Sequence, residues 1–203
     1  MSEATAVILA SGSAARRAML QAAGVVFDVM PATIDEEHLR QALVADNADI
    51  GPVEIAAELA AAKAAAVSQQ QPDALVIGSD QVLDIEGDLL TKPGDAAGVR
   101  ASLERLSGRT HALHSAVALA QNGIVLWSNS DTARLTMRPL TAPAIERYVD
   151  AAGDGVHQCV GAYQIEGLGI QLFDRIEGDH FTILGMPLLP LLAQLRTRGA
   201  IAA

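Results

Sequence analysis

Residues 6–24 read AVILASGSAARRAMLQAAG, and this stretch decides the fold. Ala6–Ala10 is a short apolar run, Ser11-Gly12-Ser13 closes it, Ala14–Ala23 has helical composition, and Gly24 supplies a stop. The order is strand, small-residue turn, helix. Val25–Met30 then looks like a second strand, and residues 31–51 are acidic and mixed, with Asp35-Glu36-Glu37 as their densest charge. Pro52–Ser68 predicts a helix: Pro52 suits the first helical position, and Ile55, Leu59, Ala62 and Ala66 form a stripe at helical spacing. Ala74–Gly78 is near-continuously apolar, as in a strand buried on both faces, and delivers Ser79-Asp80-Gln81 at its C-terminal end.

Further along, Glu86-Gly87-Asp88 marks a tight turn between two short strands within Val82–Leu90. Asp95–Leu106 predicts a helix with Asp95 as N-cap. Asn122-Gly123, flanked by His111–Ala120 and Ile124–Arg138, is the strongest hairpin signal in the chain. Thr141–Ala152 predicts a helix, a Gly-punctuated stretch follows to Gly169, Ile170–Phe173 reads as a strand, and the last helix covers Pro187–Arg198. Strands alternating with helices give an α/β protein, and the hairpin makes its sheet mixed rather than all-parallel. At 203 residues the expectation is a single domain, 1–203, with two lobes.

Composition narrows the function classes. Hydrophobic residues at 50% and charged residues at 19% exclude a disordered chain, and aromatics at only 3% leave the core to Ala, Leu, Val and Ile. A net charge of −10 argues against nucleic acid or an anionic membrane surface as the main partner. The single cysteine, Cys159, excludes a disulfide framework and a Cys-rich zinc site. Met1-Ser2-Glu3 has no basic character, the apolar stretch Ala4–Ala10 is too short for a secretory signal, and no run approaches the ~18 apolar residues of a membrane span. A cytoplasmic protein is expected.

The P-loop, the strand-linked G-x-G-x-x-G, H-E-x-x-H and G-x-S-x-G are all missing. What remains is a set of charged residues at element ends. Ser11-Gly12-Ser13 followed by Arg16 and Arg17 places a small-residue turn and two guanidinium groups at a helix N-terminus, where backbone N–H groups and the helix dipole favour an anion. Asp80 follows a buried strand, where α/β folds place catalytic carboxylates. The Asp35-Glu36-Glu37 run could add a second carboxylate, and two carboxylates with a phosphate make a minimal oxygen cradle for Mg²⁺. Lys63 on the Ala-rich helix and Lys92 before Pro93 complete the set. His111 and His114, three apart on a strand, face opposite sides and cannot share a metal, so both read as structural, as does Cys159. Taken singly, each residue has an ordinary structural role.

Taken in order, the segments resemble one family, the Maf-type nucleoside triphosphate pyrophosphatases. The resemblance rests on Leu9-Ala10-Ser11-Gly12-Ser13-Ala14-Ala15-Arg16-Arg17, Asp35-Glu36, Leu59-Ala60-Ala61-Ala62-Lys63-Ala64 and Gly78-Ser79-Asp80-Gln81-Val82. It continues through Lys92-Pro93, Leu106-Ser107-Gly108-Arg109-Thr110-His111, Gly161-Ala162-Tyr163 and Gly185-Met186-Pro187-Leu188. It implies a mixed central sheet with two lobes flanking a nucleotide cleft, hydrolysis of the α–β phosphoanhydride to monophosphate and pyrophosphate, a divalent cation (Mg²⁺ or Mn²⁺), and a homodimer. By the same resemblance Asp80 is the catalytic carboxylate and, with Glu36, holds the metal. Arg16, Lys63 and Lys92 surround the triphosphate, Ser11 and Arg17 bind with them, and Glu166 faces the base.

Two positions depart from the family pattern, which usually has Pro where Ala14 stands and, in the 7-methyl-GTP branch, Trp where Ala15 stands. Ser79-Asp80-Gln81 and Glu166-Gly167-Leu168-Gly169-Ile170 nevertheless resemble that branch more than the dTTP/UTP branch, which usually carries Gln at the position of Glu166. A carboxylate accepts from a guanine N1–H and N2–H₂ edge, as it cannot from a uracil carbonyl. The expected activity is house-cleaning hydrolysis of a nucleoside triphosphate, 7-methyl-GTP or another guanine type. The alternative is a non-catalytic nucleotide-binding regulator of cell division.

Overall fold

The opening stretch forms as read. In the computed structural model, which describes residues 5–202, β1 (Val7–Leu9) is buried throughout and α1 (Ala14–Ala22) follows the Ser-Gly-Ser turn. Met1–Ala4, and with them the Met1-Ser2-Glu3 start of the segment read for a secretory signal, lie outside the described residues, as does Ala203. The chain forms two compact units: Met1–Gln81, His114–Asp131 and Asp179–Ala203 in the first, Val82–Leu113 and Thr132–Gly178 in the second.

In the first unit β1 pairs in parallel with β2 (Asp28–Val29) on one side and with β3 (Leu75–Ile85) on the other, with Leu9 opposite Ile77. The period of two along these strands sorts the core. Val7, Leu9, Leu75 and Ile77 pack with Leu20, Leu119 and Leu191, whereas Ile8, Ala10, Ala74 and Val76 pack with Val67. That second layer is supplied by α3 (Pro52–Gln70), and Leu191 comes from the last helix, α7 (Leu188–Thr197). The hairpin strands β5 (Thr110–Gln121) and β6 (Ile124–Met137) join through Asn122 and Gly123, whose φ values of 49° and 77° are those of a two-residue type I′ turn.

In the second unit the end of β3 turns into β4 (Asp88–Leu90) through Glu86 and Gly87, again both at positive φ, and β7 (Phe173–Glu177) pairs antiparallel with β6. Beside them α4 (Ala96–Leu106), capped by Asp95, buries Val99, Leu103 and Leu106 against α5 (Ala142–Ala152), which buries Ile145 and Tyr148. Parallel and antiparallel pairs together make the sheet mixed, as expected.

Four readings need correction. The second strand is only Asp28–Val29, because Val25 turns inward and Val26 is exposed. Residues 31–51 contain a helix, α2 (Glu36–Asp46), which buries no residue and so carries no apolar stripe to read. The Ile170–Phe173 segment is a 3-10 turn over Leu168–Leu172, and the strand begins where that turn ends. Finally, β3 does not stop at Gly78 but runs on through Ser79, Asp80 and Gln81, so these residues lie within a strand. A short helix, α6 (His180–Ile183), capped by Asp179, precedes α7. Among the described residues no helix is long and apolar enough to cross a membrane.

Candidate functional site

Asp80 owes its position to the unequal lengths of neighbouring strands. The parallel ladder of β1 with β3 ends at Leu9 and Ile77, and β3 runs on beyond the end of β1. Asp80 therefore sits past the carboxyl end of the parallel strands while still held by strand geometry, the place where open α/β sheets put ligands. Alternation sends its side chain to one face and those of Ser79 and Gln81 to the other.

The face that Asp80 meets is α3. At Gly78 a Cβ would come within 2.2 Å of the Ala60 carbonyl oxygen and 2.6 Å of the Ala64 nitrogen, so only glycine lets helix and strand approach this closely. That contact brings Lys63, between Ala60 and Ala64 on α3, over Asp80. Lys63 is 8% exposed, and its Nζ donates to Asp80 Oδ1 at 2.6 Å and meets Glu36 Oε1 at 2.9 Å. An ammonium this buried is tolerable only with such partners. Glu36 reaches it from the first turn of α2, which Asp35 caps by accepting from the His38 N–H at 2.9 Å. The acidic run is thus partly a capping device and partly site chemistry.

Arg16 lies in the first turn of α1, and three protein acceptors hold its guanidinium. Its Nε donates to the Gly185 carbonyl at 2.9 Å, and its Nη1 donates to the Ser79 carbonyl at 2.9 Å and to Ser11 Oγ at 3.2 Å. Ser11 Oγ also accepts from the Ser13 N–H at 3.3 Å, and Ser13 caps α1. Burial lowers the Arg16 pKa, opposed by the charges of Asp80 and Glu36. The first unit therefore brings Ser11, Arg16, Glu36, Lys63 and Asp80 together, while Arg17 is exposed on α1. Asp80 and Glu36 offer hard carboxylate oxygens of the kind Mg²⁺ or Mn²⁺ takes, while the two that face each other, Asp80 Oδ1 and Glu36 Oε1, converge on Lys63 Nζ. Among the described residues no group of three His, Cys, Asp or Glu could hold a metal. Phosphate oxygens would have to complete the shell.

Behind Asp80 lies a buried polar network that sequence reading gave no role. Ser79 Oγ donates to the Gly185 carbonyl at 3.0 Å, and Gln81 Nε2 donates to Ser115 Oγ at 2.9 Å and to the Thr182 carbonyl at 3.1 Å. Thr182 Oγ1 donates to Asp131 Oδ2 at 2.7 Å. Strand alternation around Asp80 was the available signal for Ser79 and Gln81. Nothing local signals their partners a hundred residues on.

The second unit holds the remaining candidates. Lys92 is exposed in the extended segment before Pro93, and Glu166 is exposed ahead of the 3-10 turn. Cys159 lies within electrostatic reach of both: burial raises its pKa, Glu166 adds to that and Lys92 opposes it. His111 is structural here, buried with Nε2 2.6 Å from Tyr163 Oη and with the ring of Phe173 packed against both. Burial pushes its pKa down to about 4.

Comparison with known proteins adds a family to this geometry. The profile described as Maf-like protein matches residues 6–198. A nucleoside triphosphate pyrophosphatase of Nitrobacter winogradskyi is 52% identical over 97% of this chain and 95% of its own length. A 7-methyl-GTP pyrophosphatase of Mesorhizobium japonicum is 50% identical over 96% of this chain and 97% of its own. Among solved structures, a HAM1 protein from Coxiella burnetii is 18% identical, covers 66% of this chain and 73% of its own, and reaches a TM-score of 0.42, too distant a likeness to bear on activity.

Proposed function

The chain belongs to the Maf-like protein family, and from that premise we propose that it is a nucleoside triphosphate pyrophosphatase, an acid-anhydride hydrolase that releases pyrophosphate and a nucleoside monophosphate in a house-cleaning role. The observation that carries the reading is the Lys63–Asp80–Glu36 cluster beside Arg16, two carboxylates and two cations converging past the carboxyl end of the parallel strand pair β1–β3. Phosphoryl chemistry asks little more of a protein than this: positioning, charge stabilisation and one base.

In the mechanism proposed, the water that attacks the α-phosphorus loses its proton to Asp80, while Lys63 fixes Asp80 Oδ1. Lys63 and Arg16 stabilise charge on the departing pyrophosphate, and the family resemblance gives Lys92 a phosphate-binding role. Ser11 and Arg17 bind at the phosphates. Asp80 and Glu36 would hold a divalent cation, which when bound supplies Lewis-acid stabilisation of the phosphates. With only two protein carboxylates, phosphate oxygens of the nucleotide would have to supply the remaining ligands.

The base is proposed to be guanine-type, read by Glu166. Relatives of nearly equal identity carry the general and the 7-methyl-GTP names, so overall similarity does not choose between them. A cytoplasmic homodimer completes the family reading.

The test is pyrophosphate release from GTP, 7-methyl-GTP, dTTP, UTP and CTP with Mg²⁺ or Mn²⁺. Release from the guanine-type members above the pyrimidines is expected. Binding without release from any member would leave the non-catalytic regulator, and dTTP or UTP as best substrate would remove Glu166 from base reading.

A further inference from the structure

We propose that Ser79 is a positioning residue for Arg16, and that it works jointly with the Gly185 carbonyl to aim one arm of the guanidinium at the substrate phosphates. The inference rests on the reading of Arg16 as a phosphate ligand and adds two residues to it.

Ser79 is fully buried and touches Arg16 by two routes. Its carbonyl accepts from Arg16 Nη1 at 2.9 Å, and its hydroxyl donates at 3.0 Å to the same Gly185 carbonyl that accepts from Arg16 Nε at 2.9 Å. With Ser11 Oγ on the remaining Nη1 hydrogen, three of the five guanidinium N–H bonds are spent on the protein, and both Nη2 hydrogens stay unassigned. A side chain tethered this way has lost its rotamer freedom before substrate arrives, so little ordering cost remains on binding. Lysine could not reproduce it, because a single ammonium cannot satisfy three divergent acceptors and still present a donor.

Gly185 completes the device. It sits at φ +105°, where side chains are rarely found, and a Cβ there would stand 3.4 Å from Arg16 Nη2 and 3.5 Å from Nε. Glycine leaves room for the arm that is not tethered, and its carbonyl is held in place from the other side by Ser79.

The experiment is a double-mutant cycle on kcat/KM with Ser79→Ala and Arg16→Ala, together with the competitive inhibition constant of pyrophosphate and the thermal midpoint of each variant. Ser79→Ala is expected to lower kcat/KM and weaken pyrophosphate by about tenfold in the parent, the scale of one hydrogen bond around a charged group. In the Arg16→Ala background it should do nothing further. Equal losses in both backgrounds would overturn the inference, since Ser79 would then act on packing alone. If Arg16→Ala itself leaves activity and pyrophosphate binding intact, the phosphate role of Arg16 fails instead. Gly185→Ala, which perturbs Arg16 without removing a bond, serves if Ser79→Ala does not fold. It should weaken pyrophosphate in the parent and not in Arg16→Ala, and a loss of equal size in both backgrounds would again defeat the inference.

Discussion

The two units handle buried polar chemistry in opposite ways. In the first, a buried ammonium and carboxylate, Lys63 and Asp80, meet the half-exposed Glu36, and the partly buried guanidinium of Arg16 is held beside them, each with a named partner. In the second, the buried groups are the His111 and Tyr163 pair under Phe173, while the charged candidates Lys92 and Glu166 sit exposed on irregular segments. A charge kept out of water must be paired by rigid neighbours, whereas one left in water can be moved by its loop. The first arrangement suits a reaction centre that must not reorganise, and the second suits residues that adapt to different ligands.

The contrast breaks first, and hardest, at Asp80. Asp80→Ala is expected to cut kcat by about a thousandfold, within the range of a lost general base, with nucleotide affinity retained. Retained turnover would remove the reaction centre from the first unit. The same variant leaves Lys63 with Glu36 as its remaining carboxylate partner, so its unfolding should be compared with the parent before the kinetics are read.

A smaller effect tests the second unit. The unfolded chain binds a proton on His111 near its ordinary 6.5, and the folded one only near 4, because burial disfavours the imidazolium. The folded pKa is depressed, so this contribution is fully present above pH ~6.5 and is lost as pH falls towards 4, amounting to about 3 kcal/mol across that window. The paired change His111→Phe with Tyr163→Phe removes both ends of the hydrogen bond and should flatten that part of the slope. Denaturant unfolding at pH 7 and pH 4.5 measures it, and a slope equal to the parent's would show that His111 is not buried neutral.

Much of this was legible in the chain, and the rest fails for identifiable reasons. The Ser11–Arg17 turn, the Asn122-Gly123 hairpin and the Pro52 helix announce themselves because turn chemistry and capping are local. The helix over Glu36–Asp46 was invisible since it buries nothing, and its capping Asp35 passed for part of a charge run. Lys63 looked like an ordinary lysine on an alanine-rich helix. Its burial depends on Gly78 admitting the helix backbone, a contact between residues on different elements that no window can contain. Ser79 stood beside the most prominent carboxylate in the sequence, yet its partner Gly185 is 106 residues away.

The mildest test asks whether the exposed residues of the second unit carry specificity rather than structure. Lys92 and Glu166 lie on the surface, so Lys92→Ala and Glu166→Gln should each change unfolding stability by less than about 0.5 kcal/mol. Their kinetic effects should differ in kind. Lys92→Ala removes the cation proposed to meet the phosphates, which every triphosphate shares, so KM should rise for all substrates alike. Glu166→Gln exchanges an acceptor-only group for one that also donates, so the ranking of bases should change, guanine-type substrates losing about tenfold relative to pyrimidines. If both variants instead scaled all substrates equally, the second unit would contribute only charge, and base discrimination would have to come from the rigid unit after all.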